Sequence, residues 1–192
     1  MSARELLMLR HGATEHNEKR LFTGAQDVPL SAKGRAALAP LRGTYPPASR
    51  FFTSGMRRAV ETLCLLYGDV PHTDIAELME CRFGAFENRS HDDLYANEPL
   101  YRAWAQGERE LVLPGGESRA AFDRRVLEGF RMLAGQPWEG LAVLVSHGGV
   151  LRALIALLDL TGGEPAYPPP NACGWRVRLS DAGQVVDCEA YP

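Results

Sequence analysis

Residues 6–17, LLMLRHGATEHN, run four apolar side chains straight into Arg10, His11 and Gly12 with no polar transition. Apolar runs without alternation suit strands covered on both faces, as in a parallel sheet. Leu141–Val145 is a second such run, and after Ser146 it too meets a His-Gly pair, at His147 and Gly148. Each run is followed by a helical candidate. Two equivalent strand ends that both carry histidine and glycine therefore set the fold and, with it, the place to look for chemistry.

The flanking segments extend the pattern. RFFTS, residues 50–54, reads as a short strand feeding a helix over 56–68. There Val60, Leu63, Cys64 and Tyr67 share one face at i, i+3, i+4 and i+7, and Gly68 is the stop. SAKGRAALAPLRG, residues 31–43, offers Ser31 as N-cap and Gly43 as stop, with Pro40 kinking or shortening the helix. Residues 118–135 have Ser118 as N-cap, Phe122, Val126, Phe130 and Leu133 facing inward, and Gly135 at the end. GGVLRALIALLDL, residues 148–160, is a mostly apolar helix with its break at Thr161-Gly162-Gly163. The tail from Gly174 to Tyr191 reads as a hairpin turning at Asp181-Ala182-Gly183. Strands alternating with helices predict a three-layer, doubly wound α/β fold: a mostly parallel sheet with helices on both faces. Residues 1–192 are expected to form a single domain, with a helical excursion over about 80–117 that is rich in aromatics and charges and carries a capping-box pattern from Ser90 to Asp93. Excursions of this length are often lids.

Composition narrows the function. The 192 residues are 45% hydrophobic, enough for one well-buried core. A formal net charge of −3 removes the basic surface that nucleic-acid binding uses, so no nucleic-acid partner is expected. The N-terminus lacks a signal-peptide core, and the apolar run near Val150–Leu158 is interrupted by Arg152. That predicts a cytoplasmic protein without a membrane partner. Cys64, Cys81, Cys173 and Cys188 lie far apart with no CxxC pair, which indicates neither a zinc knuckle nor a disulfide framework. The sequence does not set the oligomeric state.

In open α/β sheets, ligands sit beyond the carboxyl ends of the strands, where helix N-termini offer free N–H groups. His11 and His147 both stand there, each followed by a glycine that lets backbone approach a ligand closely. Arg10 and the Arg57-Arg58 pair bring guanidinium forks to the same edge. Together these groups describe an anion pocket, and phosphate fits it best. Glu80, at the start of the excursion, is the carboxylate best placed to donate a proton. His16, His72 and His91 read as surface residues.

This constellation resembles the histidine phosphatase superfamily, the phosphoglycerate-mutase-like fold. RHG appears as Arg10-His11-Gly12, with Thr14 and Asn17 in their usual places; FxGxxDxPLTxxG appears as FTGAQDVPLSAKG, SxxxRAxxT as SGMRRAVET, ExxFG as ECRFG, and the second histidine as SHGG. The resemblance implies that His11 is phosphorylated, that Glu80 is the acid, and that His147, Arg10 and Arg58 hold the phosphoryl group. Only the RAxxT match selects Arg58 over Arg57, since helix spacing does not. Asn17, Thr23, Gly24 and Gly148 complete the implied phosphate-binding set, although Thr14, Asn17 and Thr23 are also ordinary turn and capping residues. No metal and no cofactor is implied. Gly55 and Met56 replace the usual Pro-Leu, and Asn88 replaces a common glycine, departures that bear on substrate placement.

FGAFENRSHDDL, PGGES and the short tail look most like the phosphatase branch, and among those like α-ribazole phosphatases. The expected function is thus a phosphomonoesterase with a small phosphorylated metabolite as its partner. The alternatives are a phosphoglycerate mutase and a phospho-ligand binding module whose catalysis has decayed. In the excursion, Arg89, Arg102 and Arg109 would suit a substrate carboxylate, whereas Phe83, Phe86, Tyr95, Tyr101 and Trp104 would suit a flat ring or simply a core.

Overall fold

The computed structural model describes residues 4–160 and 168–191. Six strands form one sheet: β1 (Arg4–Arg10), β2 (Arg50–Thr53), β3 (Thr73–Asp74), β4 (Leu141–Ser146), β5 (Gly174–Leu179) and β6 (Val185–Tyr191), in the order β3-β2-β4-β1-β5-β6. The β1–β4, β4–β2 and β2–β3 pairs are parallel, and β5 and β6 add an antiparallel hairpin at the β1 edge. The hairpin turns at Asp181–Gly183 as the tail predicts, closed by the Gly183 N–H on the Ser180 carbonyl at 2.9 Å.

The two apolar runs are the central strands, and both are covered on both sides. Leu6 and Met8 of β1 join Ala142 and Leu144 of β4 and Phe52 of β2 against one helical layer. That layer comprises α6 (Arg119–Ala134) and α7 (Gly148–Leu157). Leu7, Leu9, Leu141, Val143, Val145 and Phe51 face the other layer, made of α2 (Ala32–Leu38) and α3 (Arg57–Tyr67). Strand side chains alternate between faces, so a run without polar residues feeds both layers at once.

Helix α6 follows its pattern, with Phe122, Val126, Phe130 and Leu133 buried and the Ser118 hydroxyl accepting from the Ala121 amide. In α3 the buried face is Ala59, Thr62, Leu63 and Leu66, whereas Val60, Cys64 and Tyr67 are only half-buried. The face is turned by one residue from the apolar spacing because Thr62 spends its hydroxyl inside, on the Arg58 carbonyl at 2.6 Å, and so can be buried without loss. Pro40 shortens α2 at Leu38 and continues it as a 3₁₀ turn over Ala39–Leu41, with Gly43 beyond it. Helix α7 stops at Leu157, and Asp159 adopts φ +50°; the Thr161-Gly162-Gly163 break lies outside the described residues.

The excursion holds a 3₁₀ turn (Gly84–Phe86), α4 (His91–Asn97) and α5 (Pro99–Ala105). Its rings pack inward: Phe83 meets Phe22 at 4.5 Å and Trp104 at 5.5 Å, and Tyr101 stacks on Trp104 at 5.8 Å. These residues belong to the same cluster as α6 and α7, so the excursion is an extension of that core. Only half of the Ser90–Asp93 capping box forms. The Asp93 amide donates to the Ser90 hydroxyl at 3.2 Å, but the Asp93 carboxylate turns to Arg89 and Asn97. A complete box forms instead at α1 (Glu15–Glu18), between Thr14 and Asn17. His91 is exposed, whereas His16 and His72, read as surface residues, are half-buried.

Candidate active site

Strand register brings the histidines together. Arg10 pairs with Ser146 across the β1–β4 ladder, so the next residue on each strand, His11 and His147, emerges beside the other. Their ring centroids are 5.2 Å apart, and both residues are buried. The His11 amide donates to the Ser146 carbonyl at 2.9 Å, and Asn171 Nδ2 donates to the His11 carbonyl at 2.7 Å. His11 Nδ1 lies 2.7 Å from the Gly12 carbonyl. A carbonyl only accepts, so Nδ1 carries the proton and Nε2 keeps a free lone pair. Burial, opposed only in part by this hydrogen bond, and the charges of Arg58 and Arg10 hold the imidazole well below its ordinary pKa of 6.5. His11 is therefore neutral near neutral pH.

His147 caps α7, with Nε2 2.7 Å from the Ser54 hydroxyl. Its Nδ1 is buried and has no partner among the described residues. Burial, then Arg58 and His11, keep its pKa well below 6.5 as well.

Arg58 is fully buried at the start of α3, and its forks are held by the Gln26 carbonyl at 2.7 Å and the Gly24 carbonyl at 2.9 Å. Arg57 is exposed and pairs with Glu61 at 2.8 Å. The loop over 22–28 thus aims Arg58 and also starts its helix, because Asp27 accepts from the Arg57 amide at 2.6 Å where Met56 has no side-chain oxygen to offer. Gly24 has φ +53°, and a Cβ there would stand 2.1 Å from Glu87 Oε1. Glu87 in turn accepts from the Ala25 amide at 3.0 Å and ties this loop to the excursion. Thr23 is buried beside it. Arg10 donates to the Pro169 carbonyl at 2.9 Å, and the Nε atoms of Arg10 and Arg58 have no partner among the described residues. Burial lowers the pKa of both guanidiniums, and Glu80 opposes that shift.

Glu80 accepts from the Cys81 amide at 3.0 Å and from the Gly149 amide, in the first turn of α7, at 3.2 Å. A Cβ on Gly149 would stand 2.3 Å from Glu80 Oε1, which accounts for the second glycine of SHGG. The glycines directly after the histidines also make room for protein. A Cβ on Gly12 would stand 2.6 Å from Leu38 Cδ1, and one on Gly148 2.8 Å from Pro168 Cβ. Asn17 accepts from the Thr14 amide at 3.0 Å, so its side-chain oxygen serves the capping box and its amide nitrogen is the atom suited to an anion.

The departures have local consequences. Gly55 has φ +78°, which proline cannot adopt, so the turn into α3 differs from one built on Pro-Leu. Asn88 sits at φ +66°, a conformation that asparagine tolerates better than most residues.

The arrangement can do definite chemistry. The neutral His11 imidazole lies beside the ring of His147 and within the charge field of buried Arg58 and Arg10, on both of which the Glu80 carboxylate also acts. Such a set has the groups that a nucleophile, an oxyanion pocket and a proton carrier require. Residues 6–188 match the histidine phosphatase superfamily (branch 1). The chain belongs to that superfamily.

Within the superfamily, the chain is 38% identical to an adenosylcobalamin/alpha-ribazole phosphatase of Salmonella typhimurium, over 97% of this chain and 92% of that one. It is 34% identical to a 2,3-bisphosphoglycerate-dependent phosphoglycerate mutase of Beijerinckia indica, over 81% of each. The solved structure of the alpha-ribazole phosphatase from Shigella flexneri superimposes with a TM-score of 0.78 at 29% identity, over 97% of this chain and 94% of that one.

Several side chains that organise this superfamily member's site escaped the sequence reading. Ser54 and Glu117 lie inside quoted motifs, SGMRRAVET and PGGES, but nothing local distinguishes them from caps and turns. Asn171 comes from the far end of the chain. Thr62, the last residue of SGMRRAVET, accepts from the Gly12 amide at 2.9 Å, a contact that the motif by itself does not predict. The excursion arginines are engaged elsewhere: Arg89 with Asp93 and Glu98, Arg109 with Asp123, and Arg102 with the Tyr95 and Ala96 carbonyls. Of its rings, Phe83, Phe86, Tyr101 and Trp104 are buried and Tyr95 is exposed. No group of three or more His, Cys, Asp or Glu side chains is gathered for a metal among the described residues, and no described helix is long and apolar enough to cross a membrane.

Proposed function

We propose that the protein is a phosphomonoesterase working through a phosphohistidine, with α-ribazole 5′-phosphate as its substrate. The observation that carries this reading is the locked tautomer of buried His11, which lies beside His147 and within the charge field of Arg58 and Arg10. The Nε2 lone pair attacks phosphorus in line, and the bond to the leaving oxygen breaks with its electron pair staying on that oxygen. In this reading Glu80 is the acid that gives the departing alkoxide its proton. Water then attacks the phosphohistidine, Glu80 takes a proton from it, and the P–N bond breaks to return neutral His11 and inorganic phosphate. Arg10, Arg58, His147 and the Asn17 amide hold the equatorial oxygens, where transition-state charge gathers.

The substrate assignment rests on likeness to the Salmonella and Shigella phosphatases. The mutase reading is kept alive by the Beijerinckia relative, yet the excursion arginines that would suit a sugar-acid carboxylate already have partners. A decayed binding module is disfavoured by the joint presence of His11, Glu80 and His147.

The test is acid-quench trapping with a labelled phosphomonoester, followed by kinetics across a substrate panel. The expected results are an acid-labile phosphoenzyme on His11 and a kcat/KM for α-ribazole 5′-phosphate at least about tenfold above that for 3-phosphoglycerate, or roughly 1.4 kcal/mol. Isomerisation of 3-phosphoglycerate primed by bisphosphate, without free phosphate, would establish the mutase instead. Tight phosphate binding without turnover would establish the binding module.

A further inference from the structure

We propose that Arg125, on α6, is a positioning residue that holds the Glu80 carboxylate in place against α7. The proposal rests on the reading of Glu80 as proton donor. Arg125 Nη1 donates to the carbonyls of Glu77 at 2.7 Å and Met79 at 2.9 Å, and Nη2 donates to the carbonyl of Glu80 itself at 3.3 Å. The remaining capacity goes to Glu117, at 2.6 Å from Nη2 and 3.4 Å from Nε. Glu117 is buried, and it also accepts from the Arg82 amide at 3.0 Å. One ion pair therefore grips the chain on both sides of Glu80, at the carbonyls of residues 77 and 79 before its side chain and at the carbonyl of residue 80 and the amide of residue 82 after it.

The segment it grips has little regular structure to hold it. Glu80 follows a 3₁₀ turn at Ala76–Leu78 and precedes another at Gly84–Phe86, so its backbone has no helix or sheet ladder. Burying such backbone requires partners for its carbonyls, and the planar five-donor fork of arginine supplies several from one side chain. Helix α6 approaches closely enough to deliver that fork because Gly129, one turn further on, leaves room for Glu77 and Leu78; a Cβ there would stand 2.8 Å from each. All the Arg125 donors described are spent on the protein, which separates its role from that of Arg10 and Arg58.

A proton donor matters most when the leaving oxygen is strongly basic, which gives the role a signature. An alkyl phosphate needs Glu80, whereas p-nitrophenyl phosphate leaves as a stable anion. Arg125→Lys keeps the charge and loses the fork. We expect it to lower kcat/KM, which reports transfer to His11 and not the later hydrolysis that Glu80 also assists, by about 10²-fold for an alkyl phosphate, the scale of a small misplacement of a reacting group, and by less than about threefold for p-nitrophenyl phosphate. In a Glu80→Gln background, where no acid remains to be placed, the same change should cost less than about threefold on both substrates. Glu117→Gln, which neutralises the partner while keeping a carbonyl oxygen, should show the same selectivity if Arg125→Lys does not fold. Equal losses on both substrates, or full loss persisting in the Glu80→Gln background, would reduce Arg125 to a stabilising residue and overturn the proposal. If Glu80→Gln by itself lowered kcat/KM equally on both substrates, Glu80 would not be the acid, and the proposal would fall with that reading.

Discussion

The hydroxyl of Ser54 lies 2.7 Å from Nε2 of His147, and both residues are buried. The contact fixes the ring of the second histidine while its Nδ1 stays without a partner among the described residues. Ser54→Ala would leave a second buried ring nitrogen unpaired, at a cost of about 1–3 kcal/mol. We expect kcat/KM to fall by about tenfold and the urea midpoint to drop with an unchanged m-value. Wild-type kinetics in this variant would show that His147 needs no such support.

Arg58 and Arg57 separate cleanly. Arg58→Ala removes a buried donor aimed by Gln26 and Gly24 and should lower kcat by about 10²–10³-fold. Arg57→Ala removes one arm of an exposed ion pair and should change kcat by less than about threefold. Steady-state kinetics on the two variants decides it, and the opposite order would contradict the placement of Arg58 in the pocket.

Gly149→Ala tests the approach of Glu80 to α7. The added Cβ would fall 2.3 Å from Glu80 Oε1, so the carboxylate has to move. We expect kcat to fall by about 10²-fold while competitive inhibition by inorganic phosphate holds within about twofold, since Arg10, Arg58 and His147 are untouched. Parallel loss of phosphate affinity would mean that Glu80 and the oxyanion pocket are not separable.

Stability should depend on pH through the two buried histidines. Burial holds His11 and His147 below 6.5 in the folded state, whereas the unfolded chain takes up a proton on each near its ordinary value. The unfolded state then binds more protons below 6.5, so the stabilisation is complete above that pH and is lost as pH falls through 6.5 toward the folded values. Each histidine contributes a slope of up to about 1.4 kcal/mol per pH unit in this window. Glu61 and Asp93, whose carboxyls are held below 4.5 and 3.8, act only at lower pH. Urea denaturation at pH 7.0 and 5.5 measures the effect, and identical midpoints would refute it.

Activity is expected to survive dialysis against EDTA. The charges that act on His11 are those of Arg58 and Arg10, which repel a metal cation and suit the phosphoryl group directly. Activity lost on dialysis and restored by Zn²⁺ or Mg²⁺ would overturn the phosphohistidine mechanism.

Local pattern carried the sequence a long way. The apolar runs of β1 and β4, the helix of Phe122, Val126, Phe130 and Leu133, and the hairpin at Asp181–Gly183 were legible because periodicity and turn chemistry act over a few neighbouring residues. His11, His147, Arg10 and Glu80 were legible as candidates because each ends or follows such an element, and Arg58 through its motif. What tertiary structure alone decided is which groups meet and which atoms face which. The β1–β4 register, set by packing of two helical layers, sets His11 beside His147. The Gly12 carbonyl chooses the His11 tautomer, and Thr62 turns α3 by one residue. Ser54, Asn171 and the Glu117–Arg125 pair reach the site across 93, 160 and 45 residues of chain respectively, and contacts at such separation leave no period in the sequence. Sequence specifies each element through short-range preferences, whereas the site is made by long-range contacts that exist only once both faces of the sheet are buried.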